Sequence, residues 1–128
     1  MRKLLPLCLF LAACGTDQTI SSFVDPSATY TLQELDGETW TSQGSITFPE
    51  KGSAIGQAPC NKFFANQKAP YPWVELEPIA TTRMACPDMV PEQRFLEALR
   101  AMGIAEVSGD TLILSNDAGR QMVFQAAP

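Results

Sequence analysis

Along most of the chain, apolar residues recur at every second position, the period of a strand with one face buried. Tyr30 and Leu32 alternate with Thr31 and Gln33 over residues 30–35, and Asp36-Gly37 marks a turn after them. Residues 38–41 bring in Trp40, and Ile46 and Phe48 share one face of residues 45–48. Pro49-Glu50-Lys51-Gly52 places Pro and Gly where a turn needs them, so residues 53–57 read as the returning arm of a hairpin. A further short strand is predicted over 73–76, bracketed by Pro72 and Pro78. Gly109-Asp110 joins 104–108 to 111–114 as a second hairpin, and Asn116-Asp117-Ala118-Gly119 turns the chain into a last strand over 121–125.

One segment departs from this rhythm. Phe95, Leu96, Leu99 and Met102 fall on a single helical stripe. Pro91 suits the first turn of a helix and Gly103 the position just past its end. Glu92 and Arg100 lie at the ends of the helix dipole that favour their charges. The pattern predicts an α+β domain, a curved antiparallel β-sheet with one amphipathic helix packed on it.

The first residues follow another logic. Arg2 and Lys3 precede an apolar run over residues 4–13. A spanning helix needs roughly 20 residues, so this run is too short to cross a bilayer. It ends in Leu11-Ala12-Ala13-Cys14, which resembles the lipobox of bacterial lipoproteins. Small residues before the cysteine admit a peptidase, and the Cys14 thiol then accepts a diacylglyceryl group. Each buried methylene contributes about 0.8 kcal/mol, so two or three acyl chains hold a protein stably on a membrane. Residues 1–13 are therefore expected to be a lipoprotein signal peptide. Residues 14–28 are expected to be the acylated cysteine and a flexible tether, with Ile20, Phe23 and Val24 as an alternative first strand. The domain proper is expected over 29–128. Gly15, where an Asp would retain a lipoprotein at the inner membrane, resembles an outer-membrane signal facing the periplasm.

Of four cysteines, Cys8 lies in the leader and Cys14 takes the lipid. Cys60 and Cys86 remain, and an even pair in an exported domain predicts a disulfide, with two buried free thiols as the alternative. C-x-x-C spacing is absent, which argues against a redox site.

Composition narrows the chemistry. Apolar residues are 45% of the chain, as expected of a folded domain. The formal charge of −5 becomes −7 when Arg2 and Lys3 leave with the leader. That charge opposes nucleic-acid binding and repels anionic lipid headgroups, so any membrane attachment is expected to come from something other than a basic patch. The sequence has no histidine, so imidazole-based triads and histidine metal sites are excluded. No phosphate-binding Gly-rich loop is present. Neither a metal nor another cofactor is expected. Glu34, Asp36 and Glu38 would share a face of a strand pair, either as a carboxylate site or, more simply, as a solvated surface. Phe63, Phe64, Trp73 and Trp40 are expected in the core.

Two runs stand out from this background, Cys60-Asn61-Lys62-Phe63-Phe64 and Ile79-Ala80-Thr81-Thr82-Arg83-Met84-Ala85-Cys86-Pro87. Together with the helix residues Glu92, Phe95, Leu96, Ala98 and Leu99, and the terminal Gly109-Asp110-Thr111-Leu112-Ile113-Leu114, they resemble the META-domain family. This is the HslJ-like group of heat-shock lipoproteins. The resemblance spans roughly residues 30–124, and Trp40 matches an early family tryptophan. The chain departs at Ala58-Pro59, where glycines are usual, and in the Pro-rich stretch 69–72. The resemblance implies a small sheet-and-helix domain, often on a lipoprotein, linked to heat induction and envelope stress, with drug tolerance in some members. No catalytic residues are carried over from it.

Asn61 is expected to hydrogen-bond its own turn, and Arg83 either to satisfy local carbonyls or to recognise an anion or a partner carboxylate. Both are candidate binding residues. The function expected is a non-enzymatic, monomeric envelope lipoprotein with a stress-related binding or structural role. Its partners would be the bilayer, through the Cys14 lipid, and an envelope protein. A carrier of a small apolar ligand and an inhibitor of an envelope hydrolase are the alternatives.

Overall fold

The computed structural model describes Lys3 and residues 16–127. The rest of the leader and the Cys14 attachment site lie outside the described residues. The strands are β1 (Tyr30–Leu35), β2 (Glu38–Thr39), β3 (Ser45–Thr47), β4 (Gly52–Gln57), β5 (Lys62–Gln67), β6 (Ile79–Thr81), β7 (Ile104–Ser108), β8 (Thr111–Ser115) and β9 (Gln121–Ala126). The helix α1 covers Val90–Ala101. Every pairing is antiparallel, in the order β6-β5-β4-β3-β1-β9-β8-β7, with β2 paired to β1. The sheet curls into a half-barrel, and α1 packs on it. The domain is α+β, as its periodicity predicts. Among the described residues no helix is long and apolar enough to cross a membrane.

Alternation places Leu32, Ile46, Ala54, Phe63, Leu112 and Phe124 inside the curl, each 3% exposed or less. Helix α1 adds Phe95, Ala98 and Leu99, all fully buried, and Phe63 meets Phe95 with ring centroids 5.7 Å apart. In β1 the alternation breaks after Leu32, where an irregularity against β9 lets Gln33 out of phase and returns Leu35 to the core.

The predicted strand over 73–76 is a single bridge, Trp73 to Ile104. Pro72 and Pro78 flank this segment and bring no N–H to a ladder, so pairing does not extend past either end. Instead Gln67, 1% exposed at the end of β5, pairs with it through its side chain. The Gln67 amide donates to the Trp73 carbonyl at 3.1 Å, and its Oε1 accepts the Glu75 N–H at 2.7 Å. Residues 72–74 thereby bridge the β5 side of the sheet to the start of β7.

Two further expectations are corrected. From Asp17 onward the expected tether is docked. Ile20 is 1% exposed, Val24 is buried, and the Gln18 carbonyl accepts the Tyr71 N–H at 2.7 Å. Two apolar side chains and the mutual hydrogen bonds of Asp17, Thr19 and Ser21 outweigh the polar look of this stretch. Of the four aromatics expected in the core, only Phe63 is fully buried. Trp40 is half-buried, while Phe64 and Trp73 are 47% and 56% exposed. Phe64 points outward because β5 turns Phe63, Ala65 and Gln67 inward.

The packing yields a paired prediction on glycines. A Cβ on Gly56 would lie 2.0 Å from the Ser45 carbonyl oxygen and 2.5 Å from the Phe63 ring. Gly56→Ala is expected to cost about 2 to 3 kcal/mol. At Gly103 a Cβ meets nothing within 4 Å, and φ is not positive there. Gly103→Ala is expected to add about 0.4 to 1 kcal/mol by restricting the unfolded chain. Urea unfolding of the two variants checks both signs.

Candidate functional site

The two sequence runs that stand out meet at one end of the half-barrel. Cys60 and Cys86 are bonded, with Cα atoms 6.1 Å apart across a sequence separation of 26 residues. Closing a loop of that size contributes about 3.5 kcal/mol through the unfolded chain.

Beside the disulfide, Asn61 is 4% exposed and Glu92 only 2%. One carboxylate oxygen of Glu92 accepts the backbone N–H groups of Cys60, at 3.1 Å, and Asn61, at 2.9 Å. The other accepts the Asn61 side-chain amide at 2.5 Å. Asn61 Oδ1 in turn accepts the Met84 N–H at 2.7 Å and the Thr82 hydroxyl at 3.0 Å. Asn61 Nδ2 also approaches the Met84 carbonyl at 3.4 Å. The network fastens the β4–β5 turn, the loop after β6 and the first turn of α1 to one another.

The Asn61 side chain therefore bonds to distant residues rather than to its own turn, the partner expected from the sequence, and its burial removes it as a surface binding residue. Glu92, read from the sequence as a partner of the helix dipole, is the centre of the network. A signal for this was present. Glu92, Phe95, Leu99 and Met102 are spaced by three, four and three, so Glu92 lies on the buried stripe. No buried side-chain polar atom among the described residues lacks a hydrogen-bond partner. The turn holding Pro59 contains no positive φ, so it does not need the freedom that glycine would give.

The outward side of the junction differs. Arg83 is exposed and has no ion-pair partner among the described residues. Met84 beside it is 62% exposed. The disulfide and the Asn61 hydrogen bonds hold the backbone of this loop while these two side chains face solvent.

Other charged groups brace the fold. Arg120 pairs with Asp36 at 3.0 Å and with Glu97 at 2.5 Å, tying the turn before β9 to the β1–β2 turn and to α1. These bonds, Glu97 foremost, raise the Arg120 pKa. Burial alone would raise that of Asp36, but the Arg120 hydrogen bond, the Gln121 N–H and nearby cations outweigh it and hold the carboxyl below its usual range. Glu38 lies 3.7 Å from Arg94. Asp36 and Glu38 thus face arginines, and among the described residues no group of three or more His, Cys, Asp or Glu is arranged to hold a metal.

The clefts lie on the outside. One of 150 Å³ beside Trp40 and Arg94 and others of up to 330 Å³ over Ile55 and Phe64 are open to solvent. The interior is filled by Phe63, Phe95 and their neighbours.

This arrangement can be set beside known proteins. The model of the META domain matches residues 24–128. The chain belongs to the META-domain family. The match begins before residue 29, in keeping with the docked N-terminal segment. Three solved structures share the fold of this META domain. An NMR structure of a protein from Burkholderia xenovorans is 18% identical, with a TM-score of 0.65, and the match covers 96% of this chain and 99% of that one. A second NMR structure is 21% identical, with a TM-score of 0.64 over 82% and 92% of the two chains. A crystal structure of a DUF4847-family protein from Bacteroides vulgatus is 14% identical, with a TM-score of 0.61 over 81% and 95%. At these identities the likeness is one of fold alone. No curated protein matches the chain.

Proposed function

We propose that this protein is a non-enzymatic lipoprotein of the cell envelope, held on the outer membrane by a lipid on Cys14 and facing the periplasm. Its META domain binds another envelope protein through the loop that carries Arg83 and Met84, in the service of envelope maintenance under stress. One observation carries the reading: the Asn61 side chain of the family motif is turned inward to Glu92, while Arg83 and Met84 face out beside it, on a loop clamped by the disulfide. A carboxylate fits the planar fork of Arg83, and Met84 adapts to an irregular apolar surface. Glu92 and Asn61, the groups best suited to chemistry, are consumed by the scaffold. The packed interior disfavours the carrier alternative, since an enclosed ligand would have to displace Phe63 and Phe95.

A photo-reactive residue at position 83 or 84, activated in intact cells, is expected to capture one envelope protein. The same residue at Asp110, exposed in the β7–β8 turn, is expected to capture none. Arg83→Glu is expected to lower recovery of that partner roughly ten-fold by setting like charges together. Equal adducts from all three positions, or none from 83 and 84, would refute the reading.

A further inference from the structure

We propose that the end of the half-barrel where the chain joins the domain docks on the phospholipid surface of the membrane to which the protein is tethered. Phe23 and Tyr71 sit at headgroup level there, and Lys51 and Lys68 reach lipid phosphates. This deepens the lipid-anchored reading and rests on it.

Strand register defines the two ends of the sheet. Gly52 pairs with Gln67 at one end of β4 and β5, and Gln57 with Lys62 at the other. The Cys60–Cys86 junction belongs to the Lys62 end. The N-terminal segment belongs to the Gly52 end, where Thr19, Lys51, Gly52 and Lys68 line a cleft of 270 Å³.

The length of chain before this point limits how the domain can sit. Gln18 is held by Tyr71, so only three residues lie between Cys14 and a docked residue, a reach of four Cα-to-Cα steps. Four such steps span at most about 14 Å, less than half the diameter of about 34 Å expected for a domain of this size. A lipid on Cys14 would therefore hold the Gly52 end toward the bilayer and keep the Lys62 end away from it. Docking of residues 17–24 is what turns a tether into a short stalk.

The chemistry of that end suits the position. Phe23 stacks on Tyr71 with ring centroids 4.2 Å apart, yet remains 52% exposed. The Tyr71 hydroxyl accepts the Val107 N–H at 3.2 Å, so the ring is fixed from the protein side. A tyrosine ring, apolar in body and polar at one tip, favours the membrane interface, and Phe23 adds exposed apolar surface beside it. Residues 16–127 contain three lysines, and two of them, Lys51 and Lys68, flank the cleft. Asp17 and Glu50 are acids near Lys51, and Glu75 and Glu77 share an adjoining cleft with Lys68. Asp17 is taken up by hydrogen bonds from Ser21 and Thr19, which lower its pKa, and Glu50 precedes Lys51 in the turn. A local mixture of charge within an acidic domain matches a phospholipid headgroup, which carries both signs.

Lysine acetylation, followed by peptide mass spectrometry, tests this on the full chain isolated with its natural lipid. The protein is placed in vesicles of phosphatidylethanolamine and phosphatidylglycerol. Lys51 and Lys68 are expected to react several-fold more slowly than exposed Lys62, and to react like Lys62 once the Cys14 peptide is cleaved from the membrane. The same spectra report acyl chains on Cys14. Acylated protein in which all three lysines react alike overturns the docking proposal while leaving the anchor intact. Protein without acyl chains overturns both. A second reading places a tryptophan at position 23, as Phe23→Trp with Trp40→Phe and Trp73→Phe. Its emission is expected to be quenched by lipids brominated near the headgroup, whereas Trp40, at the far end of the Trp73→Phe chain, is not. Equal quenching at the two positions, or shielding of position 23 only when an envelope protein is added, rejects the bilayer as the occupant. Lys51→Glu with Lys68→Glu is expected to weaken quenching on anionic vesicles, each lysine accounting for about five-fold.

Discussion

Replacing Glu92 with alanine is expected to lower stability by about 3 to 4 kcal/mol, seen as a fall in Tm of roughly 10 to 20 °C. The carboxylate is 2% exposed and accepts three N–H donors, from the Cys60 and Asn61 backbones and the Asn61 side chain. Alanine strands all three in a site too enclosed for bulk water to replace the lost acceptor. A finer form of the experiment separates charge from hydrogen-bond matching. Glu92→Gln keeps an acceptor for the two backbone donors but sets its own NH2 against that of Asn61. Asn61 cannot reverse its amide, because Oδ1 holds the Met84 N–H and the Thr82 hydroxyl. Asn61→Asp alone opposes two carboxylates. Combining Asn61→Asp with Glu92→Gln restores donor to acceptor at every contact but the long one to the Met84 carbonyl at 3.4 Å. The double variant is expected to be more stable than either single one. A double variant no better than the sum of the singles would mean that the matching of donors and acceptors is not what holds this junction.

The second large effect is expected at Phe95. Phe95→Ala should cost about 3 to 5 kcal/mol, measured by chemical unfolding. The ring is fully buried and packs on Phe63 of the first motif run, at 5.7 Å between centroids, and on Trp40, at 6.1 Å. It also fills the space over Gly44, where a Cβ would lie 2.7 Å from the ring. Gly44→Ala alone is therefore expected to cost about 1 to 3 kcal/mol. In the Phe95→Ala background most of that cost should vanish, since the atom it strikes has gone. Strict additivity of the two substitutions would show that Phe95 does not pack on Gly44 as described.

The disulfide and the network at Glu92 act on the same junction by different routes. The first restricts the unfolded chain and the second satisfies buried donors in the folded one. That redundancy explains how a loop with two exposed side chains keeps a defined backbone.

Much of the fold was legible because burial on one face writes itself into the sequence. The helix over Val90–Ala101 follows from a stripe of apolar residues, and the hairpins β3–β4 and β7–β8 from alternation bounded by Gly and Pro. Strand β5 was masked, since its outward positions include Phe64 and its inward ones end on Gln67. An apolar residue facing out and an amide facing in cancel the alternation that marks a strand. Strand β6 is three residues at the edge, too short to show a period. The tether was misread for a related reason. Asp17, Thr19 and Ser21 look like solvated residues, yet they satisfy one another and let Ile20 enter the core.

By itself the sequence determined the class of fold, the helix and most strands, the family motifs and the pairing of Cys60 with Cys86. These rest on local periodicity, turn chemistry and counting, which need no knowledge of distant neighbours. Tertiary structure alone decided that Asn61 and Glu92 are buried partners while Arg83 faces solvent, that Gln67 stands in for a missing strand contact, and that the domain begins near Asp17. The outcome depends on which polar group meets which, across 31 residues for Asn61 and Glu92 and six to eight for Gln67, and a side-chain hydrogen bond of this kind leaves no period to read.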